Sequence, residues 1–194
     1  MGEEGGGDLN SAAPPQISAR LNKGEPLANR ILRVNHGGEH GAVNIYRAQS
    51  LICFWRAPEL VPELKEFQAH EERHRAVFAA ALKARGVKQG PGYALCALGG
   101  YCPGLITALL GRSAVAATTH AVERVVLGHL KLQLDYLRDS DHEAYALVES
   151  ILDEEQSHHD RAALAASRGT FWPSIIEPVV AAATEALIWI GMHR

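Results

Sequence analysis

From Pro26 to the C-terminus, apolar residues recur three and four positions apart, the period of an amphipathic helix, and the two-residue alternation of a half-buried strand is scarce. The pattern predicts a first helix from about Leu27 to Trp55 and a turn in "RAPEL". A second helix follows from about Pro62 to Arg85 and stops at Gly86, a residue suited to the left-handed C-terminal position. The next stretch differs. Between Gln89 and Gly111 no residue is charged, which is long enough to raise the question of a bilayer span, yet Pro103 and Gly92, Gly99, Gly100 and Gly104 interrupt it. A short hydrophobic hairpin or broken helix is expected there, then a third long helix from about Leu105 to Arg138. A turn at "RDSDH", with Ser140 or Asp141 as N-cap, leads to a fourth helix from about His142 to Ser167. "GTFWP" ends that helix, and a fifth begins near Glu177 with Pro178 at its first position. Four long helices with short links predict an all-α protein, a four-helix bundle with an additional C-terminal helix packed on its end or side.

Two glycine patterns qualify this picture. Gly37, Gly38 and Gly41 sit inside the first helix, where glycine costs propensity, and so point to close approach of a neighbouring helix or of bound material. The Gly100-x-x-x-Gly104 spacing is common and by itself carries little information.

Composition narrows the class. A chain of 194 residues is the size of one domain and buries a core without staples. The net charge of −3 supplies no basic excess, so no nucleic-acid partner is expected. Cys53, Cys96 and Cys102 are odd in number and contain no Cys-x-x-Cys, which fits a reducing compartment better than a disulfide scaffold or a thiolate zinc site. The opening "MGEEGGGDLNSAAPPQ" is acidic and Gly-rich without an apolar run. It reads as a disordered tail over residues 1–16, neither a secretory signal nor an Arg-rich transit peptide, and leaves residues 17–194 as the folded domain.

The chemistry lies in an internal repeat. Glu-x-x-His occurs twice, at Glu71–His74 and Glu155–His158, and chance alone supplies roughly 0.8 such pairs in a chain of this composition. The register is more telling than the count. The two copies are 84 residues apart, and the same shift places Glu39 on Glu123, His36 on His120 and Gln49 on Gln133. Residues three apart share a helix face, so each pair presents one carboxylate and one imidazole to a common point. A bundle fed by one Glu from each of two helices and one Glu-x-x-His from each of the other two is the di-iron or di-manganese carboxylate arrangement. The predicted metal ligands are therefore Glu39, Glu71, His74, Glu123, Glu155 and His158. Four carboxylates balance two divalent ions, and oxygen-rich ligation with two imidazoles suits iron or manganese better than structural zinc.

A solvated face is the default reading for any single glutamate on a helix. The shared register reverses it for these six. His36 and His120 lie one turn before Glu39 and Glu123, either as partners of the ligands or as core histidines. Gln49 and Gln133 read as packing residues. Asp160 is the expected hydrogen-bond support of the site, while His70, Glu154 and His159 read as surface or supporting positions.

The stretches "ILRVNHGGEHGAVNIYRAQ", "TALLGRSAVAATTHAVE" and "DEEQSHHD" resemble, in order, the motifs of the demethoxyubiquinone hydroxylase family. That family consists of the di-iron monooxygenases of coenzyme Q biosynthesis. The resemblance runs from about Leu27 to the C-terminus and implies a ferritin-like fold. The family's six iron ligands fall on the same six residues. It also implies two iron ions per chain and hydroxylation of a polyprenyl quinol ring with O2. NADH is the implied external reductant, and His129 matches a histidine associated with electron entry. Peripheral attachment to the cytoplasmic face of the inner membrane follows by the same route, with Tyr93–Leu110 and the last helix as the elements that dip into it. So do further partners, a homo-oligomer or other ubiquinone-biosynthesis proteins. Asn35, His40, His120, Arg124 and Leu130 depart from the family pattern. Alternatives on the same bundle are a ferritin-like iron-storage protein, a tRNA hydroxylase and a dimanganese catalase. A native size, a basic surface and a catalase assay would respectively reveal them.

Overall fold

The computed structural model describes residues 17–169 and 171–194. The tail expected over 1–16, and Thr170 within "GTFWP", lie outside them. The described chain is all-α: α1 Leu27–Arg56, a single turn Pro58–Leu60, α2 Val61–Ala84, α3 Tyr93–Leu110, α4 Arg112–Ser140, α5 His142–Ala166 and α6 Phe171–His193. Helices α1, α2, α4 and α5 form the bundle. Helix α3 lies along α1, and α6 lies along α4.

Local chemistry accounts for most boundaries. Gly86 takes φ 66°, where a side chain would be strained, and ends α2. Asp141 is the N-cap of α5: its carboxylate accepts from the Ala144 N–H at 3.0 Å and also receives Arg85 at 2.6 and 3.0 Å.

Three expectations fail. Gln89–Gly111 holds no hairpin, and the third long helix does not begin at Leu105. Tyr93–Leu110 is one helix with Pro103 inside it, and the break falls at Gly111, whose φ of 103° ends α3 and starts α4. The glycines act as contact surface instead. A Cβ on Gly104 would stand 2.6 Å from the Ile45 carbonyl oxygen and 2.9 Å from Ala48 Cβ, and one on Gly100 would collide with the Gly41 backbone. The weak Gly100–Gly104 spacing is thus the seam that lets α3 lie directly on α1. Likewise α6 starts at Phe171, ahead of Glu177, and carries Pro178 within it.

The 84-residue repeat covers more than the two helical hairpins in which it is visible. Shifted by 84, α1 overlays α4, α2 overlays α5, and the apolar α3 overlays α6. The repeating unit is three helices, and its third member packs on its first in both copies. Both third members, 18 and 23 residues, are long and apolar enough to cross a membrane. They lie on the bundle with Leu98, Ile106, Val179 and Trp189 each more than half exposed.

A polar clamp closes the bundle's end. Arg30 is fully buried and donates to both oxygens of Glu25 at 3.0 and 2.7 Å and to the carbonyls of Gly191 and Met192 at 3.2 and 3.1 Å. The Arg30 guanidinium, outweighing partial burial, holds the Glu25 carboxyl down at about 2 against an ordinary 4.5. The folded value lies below the unfolded one, so the clamp's contribution is complete above about pH 4.5 and is lost as the pH falls toward 2. Thermal melts between pH 5 and pH 2.5 should therefore fall more steeply for the wild type than for Glu25→Gln.

Candidate metal centre

The six predicted ligands come from four helices: Glu39 from α1, Glu71 and His74 from α2, Glu123 from α4, Glu155 and His158 from α5. None is more than 6% exposed. They converge as two overlapping groups, Glu39–Glu71–His74–Glu155 and Glu71–Glu123–Glu155–His158, with the ligand atoms of each group within 4.8 Å of one another. Glu71 and Glu155 belong to both groups and stand between the two points. Glu39 with His74, and Glu123 with His158, belong to one point each. The repeat interchanges the groups.

The imidazoles turn the same edge inward. His74 Nδ1 lies 2.9 Å from Glu155 Oε1 and 3.8 Å from Glu39 Oε2, and His158 Nδ1 lies 3.2 Å from Glu71 Oε1. Yet the two Nδ1 atoms, Glu71 Oε1 and Glu155 Oε1 make no hydrogen bond of acceptable direction, although all four are buried. Buried polar atoms left unpaired are costly. Four of them facing a common interior fit a group that they would hold in place of one another.

The charges agree. Burial, reinforced by the neighbouring carboxylates, pushes Glu39 and Glu123 well above the ordinary carboxyl range. Burial also pushes Glu71 up, but the close imidazoles of His158 and His74, at 3.2 and 3.7 Å, outweigh it and hold Glu71 down at about 2. His74 is pushed down by burial, and Glu155, Glu39 and Glu71 more than reverse this, raising it far above its ordinary value. Protons thus do part of the work of neutralising four buried carboxylates, work that two divalent ions would do fully.

The outer edges hold what sequence reasoning misplaced. His74 Nε2 lies 2.8 Å from Glu154 Oε2, and His158 Nε2 lies 3.0 Å from His70 Nδ1. Glu154 and His70 are thus the partners of the two predicted ligand histidines. Asp160, the expected support, is exposed and bonds to Gln156 and His159 at 2.8 and 2.9 Å. Tyr46, buried on α1, donates to Glu123 Oε1 at 2.8 Å. It lies seven positions after Glu39, two turns on the same helix face, which was the available signal.

The remaining predicted positions separate. His36 is buried and stacks on Tyr93 with centroids 4.8 Å apart, whereas His120 bonds to Glu177 at 3.0 Å. Gln49 donates to Thr107, and Gln133 exchanges hydrogen bonds with Asn35, both as packing residues. His129 is partly exposed and lies 2.8 Å from Glu185. It also lines an apolar cavity of about 380 Å³ between α1, α3, α4 and α6, walled by Ile45, Ile106, Val126, Val180 and Leu187. Glu39, Glu71, Glu123 and Glu155 line the same cavity, so it runs to the carboxylates.

The sequence profile of the family described as "Ubiquinone biosynthesis protein COQ7" matches residues 26–191. The 3-demethoxyubiquinol 3-hydroxylase of Rhodospirillum rubrum is 35% identical over 168 residues, 85% of this chain and 77% of the relative. The mitochondrial NADPH-dependent 3-demethoxyubiquinone 3-hydroxylase of Mus musculus is 32% identical over 136 residues, 68% of this chain and 62% of its own length. The match to the mitochondrial 5-demethoxyubiquinone hydroxylase of Saccharomyces cerevisiae is 36% over 106 residues, 55% of this chain and 46% of the relative. With the profile covering nearly all of the helical region, this chain belongs to the COQ7 family of ubiquinone biosynthesis proteins.

Proposed function

We propose that this chain is a di-iron monooxygenase that hydroxylates the ring of a polyprenyl quinol of the demethoxyubiquinol class, using O2 and an external reductant. The observation that carries the reading is the apolar cavity whose inner end is lined by the four buried glutamates. Glu39, Glu71, His74, Glu123, Glu155 and His158 would hold the ions, and the bundle would be of the ferritin type. Iron, when bound, supplies the activation of dioxygen. The chain's own contribution is position and exclusion. Tyr46 fixes the Glu123 carboxylate through its hydroxyl. The aliphatic walls keep water from the site and hold the quinol ring against the carboxylates.

A long isoprenoid tail needs an apolar exit, and both α3 and α6 line the cavity, with Gly99 packed against Leu187. The exposed apolar faces of these helices would lie in the bilayer interface, peripherally at the cytoplasmic face of the inner membrane, so that substrate enters without crossing water. Liposome flotation reads this directly: the protein should float with vesicles, and retention in the soluble fraction contradicts it. His129, on the cavity wall, is the proposed entry for reducing equivalents from a nicotinamide donor, NADH in our reading. The names of the mouse and human relatives specify NADPH dependence.

Gly38 gives a test that separates access from folding. It lines the cavity, and a Cβ there would meet nothing within 4 Å. Gly38→Leu should keep the metal and gain about 0.5–1 kcal/mol of stability from helix propensity. Its turnover of a short-tailed demethoxyquinol should drop tenfold or more. Full turnover in this variant would remove the cavity from the reaction.

A further inference from the structure

The two halves of the cluster are related by the repeat, but their outer partners are not alike. Position 70 in the first copy corresponds to position 154 in the second, each one residue before the glutamate of its Glu-x-x-His. Each reaches across the α2–α5 seam to the histidine of the opposite helix: Glu154 to His74, His70 to His158. One ligand imidazole is therefore backed by a carboxylate and the other by a neutral-type acceptor. Arg73 fixes that carboxylate by donating to both Glu154 oxygens at 3.0 and 3.2 Å. His70 Nδ1 lies 3.5 Å from Glu154 Oε2, so the partners form one strap, His158–His70–Glu154–His74, along the seam.

The ligand geometry fixes the sense of the strap. Both histidines turn Nδ1 to the carboxylates, which leaves Nε2–H as the donor to the outer partner. His70 must then accept at Nδ1 and carry its own proton on Nε2. A carboxylate acceptor makes an imidazole a better ligand than a neutral acceptor does, and such partners are typically worth about 10–100-fold in metal affinity.

We propose that His70 and Glu154 are positioning residues that make the two metal positions unequal, the first ion entering the half formed by Glu39, Glu71, His74 and Glu155. The inference rests on the two-metal reading of the site. A symmetric pair of positions would offer the same affinity to the first ion at either end. Here the repeat keeps the ligands and breaks the symmetry one shell out.

The experiment is an anaerobic Fe(II) titration of the metal-free full chain, followed by calorimetry. Repulsion between neighbouring ions separates two steps in any di-metal site, so the variants decide the question. Glu154→Gln should weaken the first step about tenfold. His70→Leu should leave the first step unchanged and weaken the second about tenfold. His70→Gln retains an acceptor and should restore the second step. Equal weakening of both steps by either variant overturns the inequality, as does an unaltered isotherm in Glu154→Gln. Far-UV dichroism on the same samples checks that the variants remain helical. Uptake of fewer than two ions by the wild type would instead overturn the di-metal reading itself.

Discussion

Glu155→Ala should abolish hydroxylation and leave the chain unable to hold two metal ions. Glu155 is 1% exposed and belongs to both ligand groups, so its loss damages both metal positions together. Glu71→Ala should behave the same way, because Glu71 is the only other residue shared by both groups among the described residues. Metal analysis after anaerobic reconstitution reads the outcome as about two ions per wild-type chain and fewer than two in either variant. Stability gives a second readout. Ligand binding to the folded state alone contributes about 2.7 kcal/mol at a hundred times Kd. Wild-type melting should rise when ions are added, and that of the variants should not. Metal-free Glu155→Gln should melt no lower than the metal-free wild type, because it removes one of four crowded buried carboxylates while keeping the shape.

The largest loss of stability is expected from Arg30→Met. Arg30 is fully buried and joins the start of α1 to the end of α6 through Glu25 and two backbone carbonyls. Removing one member of a buried ion pair costs about 3–5 kcal/mol when the other charge is left unpaired. Here Glu25 keeps Arg33 at 3.2 Å and the Asn22 N–H at 3.0 Å, and the Met192 carbonyl keeps the Arg20 N–H at 3.0 Å. The loss should therefore sit at the lower end, about 3 kcal/mol. Denaturant unfolding at neutral pH should show this. The C-terminal part of α6 should also become more protease-sensitive, because α6 buries only Ile176 and Met192 among its described side chains. Substitution of both members, Arg30→Met with Glu25→Gln, should recover part of the loss.

These two sites differ in how far the sequence discloses them. The six clustered residues were legible because their chemistry recurs in fixed register, which excludes neighbours such as Glu154 and His159 from the inner set. Their partners were not, because a hydrogen bond across the α2–α5 seam leaves no spacing signature along either helix. Glu154 and His70 occupy matching positions, but as unlike residue types they do not preserve the pair and so fell outside the inner set. The fold shows the same division. Gly86 and Asp141 act where the sequence places them, through backbone conformation and capping. Pro103 and its neighbouring glycines suggested a broken helix, whereas contact with α1 turns Gly100 and Gly104 into packing surface and leaves Gly111 to make the break. The kinship of α3 with α6 was invisible because α3 has no Glu or His for the register to align. The Arg30 clamp joins residues 161 and 162 positions apart and could be read only from the folded chain.

The most direct test of the central claim is to express this chain in cells lacking the ubiquinone ring hydroxylation step, under isotopically heavy dioxygen, and to analyse their quinones by mass spectrometry. The account predicts that the accumulated demethoxyquinone is converted and that one heavy oxygen atom appears in the product ring. Wild-type protein that is present and metal-loaded, yet leaves the demethoxyquinone unconverted or introduces oxygen from water, would contradict it.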